Sequence, residues 1–412
     1  MTQPAVASGP TPVRRSRWLV LVGFGLLVAS TQLLWLSFAP ITTQAHDAFG
    51  VSEGAIGDLA VVNPLMYVIL AIPTGRWMDR RFTWALAAGA VLTAFGASLR
   101  LLDPTSYAWV FAGQLILSAG QPLVLNASTK IAARYFPPTE RTVAISVASA
   151  AQFVGILAAA MTAELLVDAG DLRLLLTVHA AVALAAAVAV LLALRVPAAF
   201  ATDATDATSA ASLRWLLRDR LMWHLAGLLF IGVGVFNVVA TWLDAILDDF
   251  GHTGVSGTLI AVMTVAGIVG ATVLPGPAAS RNLRRTMLMT TTTVTVLVFL
   301  GVAVVHNVVF IGCALALEGF FLLAGLPVAL DWSELDAGPT RAGTATGFLL
   351  LAGNLGGTIL VLVVQALIGN SYLALVALSV VALPGVALAA RLPRSARSHL
   401  DDDRPLAKGL AA

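Results

Sequence analysis

Twelve stretches of this chain are each long and apolar enough to cross a lipid bilayer, and no other feature restricts its fold as strongly. A helix needs about 20 mostly apolar residues to span the hydrocarbon core. The stretches cover roughly residues 18–43, 54–74, 83–102, 107–129, 141–167, 172–194, 222–247, 255–275, 285–305, 307–330, 341–368 and 371–391. Inside lipid a chain must satisfy its own backbone hydrogen bonds, which continuous helices do. Gly and Pro within several stretches are compatible with this, since membrane helices tolerate both. The first stretch is too long for the core of a signal peptide, and eleven more follow it, so it reads as a retained span. Composition agrees: 58% of the 412 residues are hydrophobic and 11% are charged. A soluble domain carries about 25% charged residues, so this chain has too few to coat a water-facing surface.

The Lys and Arg residues set the expected orientation, because cytoplasmic loops concentrate them. One set of loops and ends holds 22 of the 24 basic residues, leaving only Arg100 and Arg173 for the other side. Both termini are therefore expected on the cytoplasmic face of a cytoplasmic, inner membrane, in a multi-pass protein with an even number of spans. The expected division is a cytoplasmic tail 1–17, a six-helix bundle 18–195, a cytoplasmic linker 196–221, a second six-helix bundle 222–391 and a cytoplasmic tail 392–412. Within the linker, the low-complexity polar run 201–209 reads as flexible.

The two blocks look like distant copies. Pro73 and Gly75 are expected to close the second span before a basic loop, and Pro275 and Gly276 the eighth. Pro138, Glu140 and Arg141 open the fifth span, which carries Gln152 and Gly155; Pro339 and Arg341 open the eleventh, which carries Asn354 and Gly357. The expected fold is thus all-α: a membrane protein of twelve transmembrane helices in two six-helix pseudo-symmetric halves. Transporters built this way place substrate near the midplane between the repeats.

Several function classes are excluded. A net charge of +2, with no basic block interleaved with aromatics, gives nucleic acid no footprint. One cysteine, Cys313, rules out a disulfide framework and a cysteine-based zinc site, and its apolar setting reads as a buried structural thiol. No metal-ligand spacing, nucleophile elbow or phosphate loop occurs, so no metal, cofactor or nucleotide use is expected. An intramembrane enzyme would need clustered acid–base groups at membrane depth, whereas the polar residues here are mostly amides.

Polar side chains in lipid are either packing glue or part of a solute path. Gln32 and Trp35 share a face of the first span. A Trp facing a central cavity would hold a quaternary ammonium by cation–π attraction of about 1–2 kcal/mol. Gln152 and Asn354 sit at matched depth in the two halves, each followed three residues on by Gly; they are either cavity amides or interhelical hydrogen-bonding groups. Gln114 and Gln121 share a stripe of the fourth span and read first as interhelical glue, with Gln121 also a candidate for the substrate site. Asn63 precedes Pro64 and is expected to satisfy backbone groups that the proline frees. His179 reads as a satisfied neutral side chain. Glu318 lies midway along the tenth span with no basic residue near it in sequence. A carboxylate at the bilayer centre costs about 2.5–3.5 kcal/mol on insertion scales, so Glu318 is a candidate proton-coupling site or counter-charge for a cation. Asp244, beside Trp242, is expected at the outer gate or rim, as a second candidate for coupling or counter-charge.

The segment Gly75-Arg76-Trp77-Met78-Asp79-Arg80-Arg81 resembles the loop between the second and third helices of the major facilitator superfamily, and the likeness extends over nearly the whole chain. Phe82 and Thr83 depart from the pattern that follows. The resemblance implies that Gly75, Asp79 and Arg80, with Arg141 and Arg341, form a cytoplasmic gate. Within the superfamily the chain looks most like the branch of the feline leukaemia virus subgroup C receptor, on Gln32 to Pro40, Gly113-Gln114, Gln121, Tyr135-Phe136-Pro137, Glu140-Arg141 and the stretch around Gln152. That branch carries choline-like cations, on a site with a Trp of helix 1, a Gln of helix 5, an aromatic of helix 7 and a Gln of helix 11. Trp35 and Gln152 match by position, and Phe236, next to Asn237, is the nearest helix 7 aromatic; Asn354 stands where the second Gln is expected. Gln114 replaces the helix 4 Arg of many proton-driven drug exporters, and their Gly-Pro signature in helix 5 is missing.

The resemblance implies a secondary active or facilitative transporter working by alternating access, as a monomer in the lipid bilayer. A small-molecule substrate is expected, a choline-like or amine cation in the first reading. A proton-coupled carrier of a small organic anion or neutral metabolite is the alternative. A receptor or scaffold on the same fold is the rival, and the short loops argue against it.

Overall fold

A computed structural model describes residues 14–200, 213–252, 255–367 and 370–394. Among them, twelve helices are long and apolar enough to cross a membrane. In the first half these are α1 (Arg14–Trp35), α2 (Glu53–Arg80), α3 (Phe82–Leu99), α4 (Tyr107–Leu125), α5 (Arg141–Ala169) and α6 (Leu172–Ala193). In the second they are α7 (Arg220–Asp249), α8 (Ser256–Val273), α9 (Arg284–Val304), α10 (Val308–Ala337), α11 (Ala342–Gln365) and α12 (Ser371–Ala390). The run 201–209, residues 1–13 and residues 395–412 lie outside the described residues.

Helix ends differ from the hydropathy reading in both directions. Helix α1 stops at Trp35, and a short 3-10 turn (Ala39–Ile41) and a helix (Thr42–Phe49) follow. Pro40 lacks the N–H that would continue the α1 ladder and disfavours helical geometry just before it. Helix α2 does not close at Pro73 and Gly75 but runs on to Arg80, with Pro64 and Pro73 inside it. The fourth span continues past Asn126 as a helix over Ala127–Tyr135, and α10 reaches Ala337. The eighth span does break near its proline, resuming as the six-residue helix Pro275–Ser280. A hydropathy window ends where charges begin, but these charges are paired inside the bundle, so the helices carry on past it.

Close helix crossings repeat in the two halves. A Cβ added at Gly155 of α5 would collide with the Ala29 carbonyl of α1, and one at Gly356 of α11 with the Phe230 carbonyl of α7. Lipid offers no hydrophobic drive for helix association, so small residues that let backbones touch are what hold such pairs. Cys313 departs from the sequence reading: it is exposed on α10 rather than buried, because that face of the helix looks outward from the bundle.

Candidate functional site

A cavity of about 620 Å³ lies between the halves, lined by residues of both. Gln32 and Trp35 of α1, Gln121 of α4, Gln152 of α5, Phe236 and Asn237 of α7 and Asn354 of α11 all lie on its wall. The lining reaches exposed residues at one end, Val61 of α2 and Leu362 of α11 among them. At the other end it stops on an apolar floor that includes Leu125, Leu229, Leu326 and Leu350. Among the described residues, no Asp, Glu, Lys or Arg lines it.

The wall positions are fixed by contacts behind them. The Trp35 indole N–H donates to the Ala60 carbonyl of α2 at 2.8 Å, which settles its polar edge and leaves the ring on the cavity. Asn354 Nδ2 donates to the Leu350 carbonyl one turn back at 2.8 Å. Asn237 packs over Gly357, where a Cβ would strike its amide, so α7 and α11 present their amides together. Gln152 Nε2 and Asn63 Nδ2 are buried without a hydrogen-bond partner among the described residues. Buried amides of that kind are uncommon, and on a cavity wall they can meet water or a polar solute. Phe153 and Phe236 meet edge-to-face across the halves at 6.2 Å between ring centroids. Phe153 was missed in the sequence, where nothing distinguishes it from a packing residue; Asn63, read there as serving Pro64, lies on the cavity wall instead.

Below the floor the halves are locked together. Asp79 Oδ1 accepts the Gly343 N–H at 2.9 Å, and Oδ2 accepts the Thr344 N–H at 2.9 Å and the Thr344 hydroxyl at 2.6 Å. These are the free amide hydrogens of the first turn of α11, so a carboxylate from one half caps a helix of the other. The Lys130 ammonium, fully buried, lies 3.2 Å from Asp79 Oδ1 and 3.4 Å from the Thr340 carbonyl. Gly75 fits the same seam, since a Cβ there would come within 2.7 Å of the Gly343 carbonyl oxygen.

A second lock with the opposite direction stands beside it. The Arg141 guanidinium at the start of α5 donates to Glu334 Oε1 of α10 at 2.9 Å. The neighbouring Thr142 hydroxyl donates to Asp331 Oδ1 at 2.5 Å, and Arg284 Nε donates to Asp331 Oδ2 at 2.6 Å. Each half therefore sends acidic side chains to a helix start in the other. The acids of this second lock, and Lys130, were not singled out in the sequence. Their signal is a charged residue just past an apolar span in each half.

The other proposed gate residues are placed differently. Arg80 is exposed and borders a shallow groove with Arg76, Trp77 and Arg81 on the bundle surface. Arg341 lies 5.2 Å from the centre of the Trp215 ring, a cation–π contact next to the start of α11. Glu318 is fully buried and does not line the cavity; its Oε1 accepts the Thr295 hydroxyl at 2.7 Å, and Thr295 does line it. The Asp244 side chain lies outside the described part of α7. Gln114 donates to the Leu59 carbonyl of α2 at 2.7 Å, and His179 bridges Ser37 and Thr162 at 2.9 and 3.2 Å.

Comparison with known proteins gives this architecture a family. Residues 20–361 match the Major Facilitator Superfamily. The chain is 30% identical over 389 residues to solute carrier family 49 member A3 of Danio rerio, covering 88% of this chain and 81% of that one. It is 26% identical over 389 residues to the human choline/ethanolamine transporter FLVCR2, covering 87% and 73%. Among solved structures it superposes on the transporter FucP in its outward conformation with a TM-score of 0.73 at 17% identity, covering 90% and 99%. It superposes on the human organic anion transporter MFSD10 with the same score at 15% identity, covering 93% and 100%. The chain belongs to the major facilitator superfamily, and its likeness runs to the branch that holds the solute carrier 49 and FLVCR proteins, which makes it a membrane transporter of a small solute.

Proposed function

We propose that the solute is a small organic cation of the choline type, carried by alternating access. The observation that carries this reading is the cavity wall: Trp35, Phe153 and Phe236 offer aromatic faces, the amides offer dipoles, and no Lys or Arg stands among the described lining residues to hold an anion. An aromatic face attracts a quaternary ammonium without the heavy dehydration that a carboxylate site would impose on an ammonium pair. The similarity to a choline/ethanolamine transporter supports the same class.

The loop charges favour cytoplasmic termini, which puts the Asp79 and Arg141 locks on the cytoplasmic face and the cavity mouth outside. In that orientation this is the outward-open state. Substrate entering from outside would meet Trp35 and Gln152 on one half and Phe236 and Asn354 on the other. Closure around it would replace the locks' contacts and open the cytoplasmic side. One chain encloses the whole cavity, so a monomer suffices.

The test is uptake of labelled choline into proteoliposomes, with competition by ethanolamine, a small carboxylate and a neutral polyol. Saturable uptake that the amine alone competes for is expected. Uptake of the carboxylate or the polyol with no choline signal would sink the cation assignment.

A further inference from the structure

We propose that Glu318 and Thr295 form a proton site set behind the cavity wall, loaded from the cavity through the Thr295 hydroxyl. The inference deepens the transport reading above and rests on it for its link to substrate movement, though not for the existence of the site.

Three observations converge. Glu318 is buried completely, and its Oε2 has no hydrogen-bond partner among the described residues. Its other oxygen is tied to Thr295, whose hydroxyl donates to it at 2.7 Å and has a second acceptor, the Thr291 carbonyl, at 3.1 Å. Thr295 and Thr291 both line the cavity. The only described polar link between Glu318 and cavity water is thus one hydroxyl that can swing between two acceptors. Because Glu318 itself stays off the wall, it is poorly placed to touch a substrate ammonium. That separates the two roles a membrane-depth acid could take, and favours a proton over a direct counter-charge.

Among the described residues, no fixed cation is at hand to neutralise the carboxylate. Helices α8 and α11 bear no charged residue. On α9 the charges are Arg284 and Arg285, about 16 Å from the level of Thr295 along a helix rising 1.5 Å per residue, and Arg284 is held by Asp331. On α10 itself Asp331, Glu334 and Asp336 lie roughly 20 Å or more along the axis, with Asp331 and Glu334 engaged in the second lock, and Cys313 is on the exposed face. On α7 the titratable positions are Arg220 and His224 at one end and Asp244, Asp248 and Asp249 at the other; on α5 they are Arg141 at one end and Glu164 and Asp168 at the other. A charge in the membrane interior without a partner costs several kcal/mol. A proton from cavity water binding Glu318 as –COOH removes it, and the carboxylate returns when that proton leaves.

A proton load of this kind makes cavity pH a determinant of the carrier's cycle. The decisive experiment reads labelled choline uptake against external pH, for wild type, Glu318→Gln, Thr295→Val and Thr295→Ser. A parallel infrared difference spectrum follows the carboxylic C=O band of each purified protein on switching from acid to alkaline buffer. A wild-type uptake rate changing by up to about tenfold per pH unit, the limit for one proton, is expected. Glu318→Gln should flatten that to under about twofold, Thr295→Val should flatten it too, and Thr295→Ser should restore it. The acid-dependent band should vanish in Glu318→Gln. Wild-type pH dependence retained in Glu318→Gln would overturn the proposal and leave choline transport standing. If wild type takes up no choline, the band alone decides: its loss in Glu318→Gln upholds the proton site while the substrate assignment fails, and its persistence rejects the site. Should Glu318→Gln not fold, the Thr295 pair decides instead: flattening in Thr295→Val with recovery in Thr295→Ser upholds the site, and an unchanged pH dependence in both rejects it.

Discussion

Asp79 holds Thr344 twice through one oxygen, taking the backbone N–H at 2.9 Å and the side-chain hydroxyl at 2.6 Å. An N-terminal-half carboxylate is thereby the cap of a C-terminal-half helix. Where a cap normally steadies its own helix, this one joins two six-helix bodies. The favourable alignment of a negative charge with the amino end of α11 acts only in the docked state.

Asp79→Asn should therefore shift the protein toward the state in which this seam is open. Removing one charged partner from such hydrogen bonds costs about 1.5–3 kcal/mol, which corresponds to roughly a tenfold to hundredfold change in the open-to-closed ratio. Spin labels at Thr83→Cys and Arg281→Cys, exposed positions on opposite halves, would report the distance on a Cys313→Ser background. An unchanged distance distribution would show that the cap does not hold the seam.

The second lock should behave as a coupled pair. Arg141→Met strands the Glu334 carboxylate, which is 1% exposed, and Glu334→Gln strands the guanidinium. Each single change should lower the melting temperature in detergent, since an uncompensated buried charge costs about 3–5 kcal/mol. The double variant should recover much of the loss. Additive losses would mean the two side chains act independently.

At the seam itself, Gly75→Val should oppose closure, because the new Cβ would press on the Gly343 carbonyl oxygen. The same spin-label pair should move apart. Gly57→Ala on the same helix is the control: nothing lies within 4 Å of its added Cβ, and alanine is the better helix former by about 1 kcal/mol.

If the solute is a choline-type cation as proposed, Trp35→Ala on the cavity wall should weaken its binding by about tenfold, the worth of roughly 1–2 kcal/mol of cation–π attraction. Trp35→Phe should lose less affinity, since it keeps a ring, but it frees the Ala60 carbonyl from its indole partner. Equilibrium binding of labelled choline separates these outcomes, and equal affinity in wild type and Trp35→Ala would remove the indole from the site.

How much of this was legible in the sequence differs by feature. The spans were, because membrane insertion depends on apolar content summed along the chain, and no tertiary detail is needed for that sum. The helix ends were not: Pro73 and Gly75 look like a stop, yet α2 continues through them to Arg80. The reason lies in the partner half, where the free amides of Gly343 and Thr344 hold the charge that hydropathy had counted against the helix.

Periodicity on α1, α4, α5, α7 and α11 pointed to amides at membrane depth, but whether they met lipid, each other or a void was a question of how helices rotate about their axes. The folded chain places Gln32, Gln121, Gln152, Asn237 and Asn354 on one wall. It also places Glu318 one hydroxyl away from that wall rather than on it, a distinction no one-dimensional pattern encodes. By itself the sequence determined that this protein lives in lipid as a dozen helices in two related halves, since solvation by acyl chains is additive and local. Tertiary structure alone decided which end is shut and what faces the cavity, because both rest on pairings such as Asp79 with Thr344, 265 residues apart, made only when the halves meet.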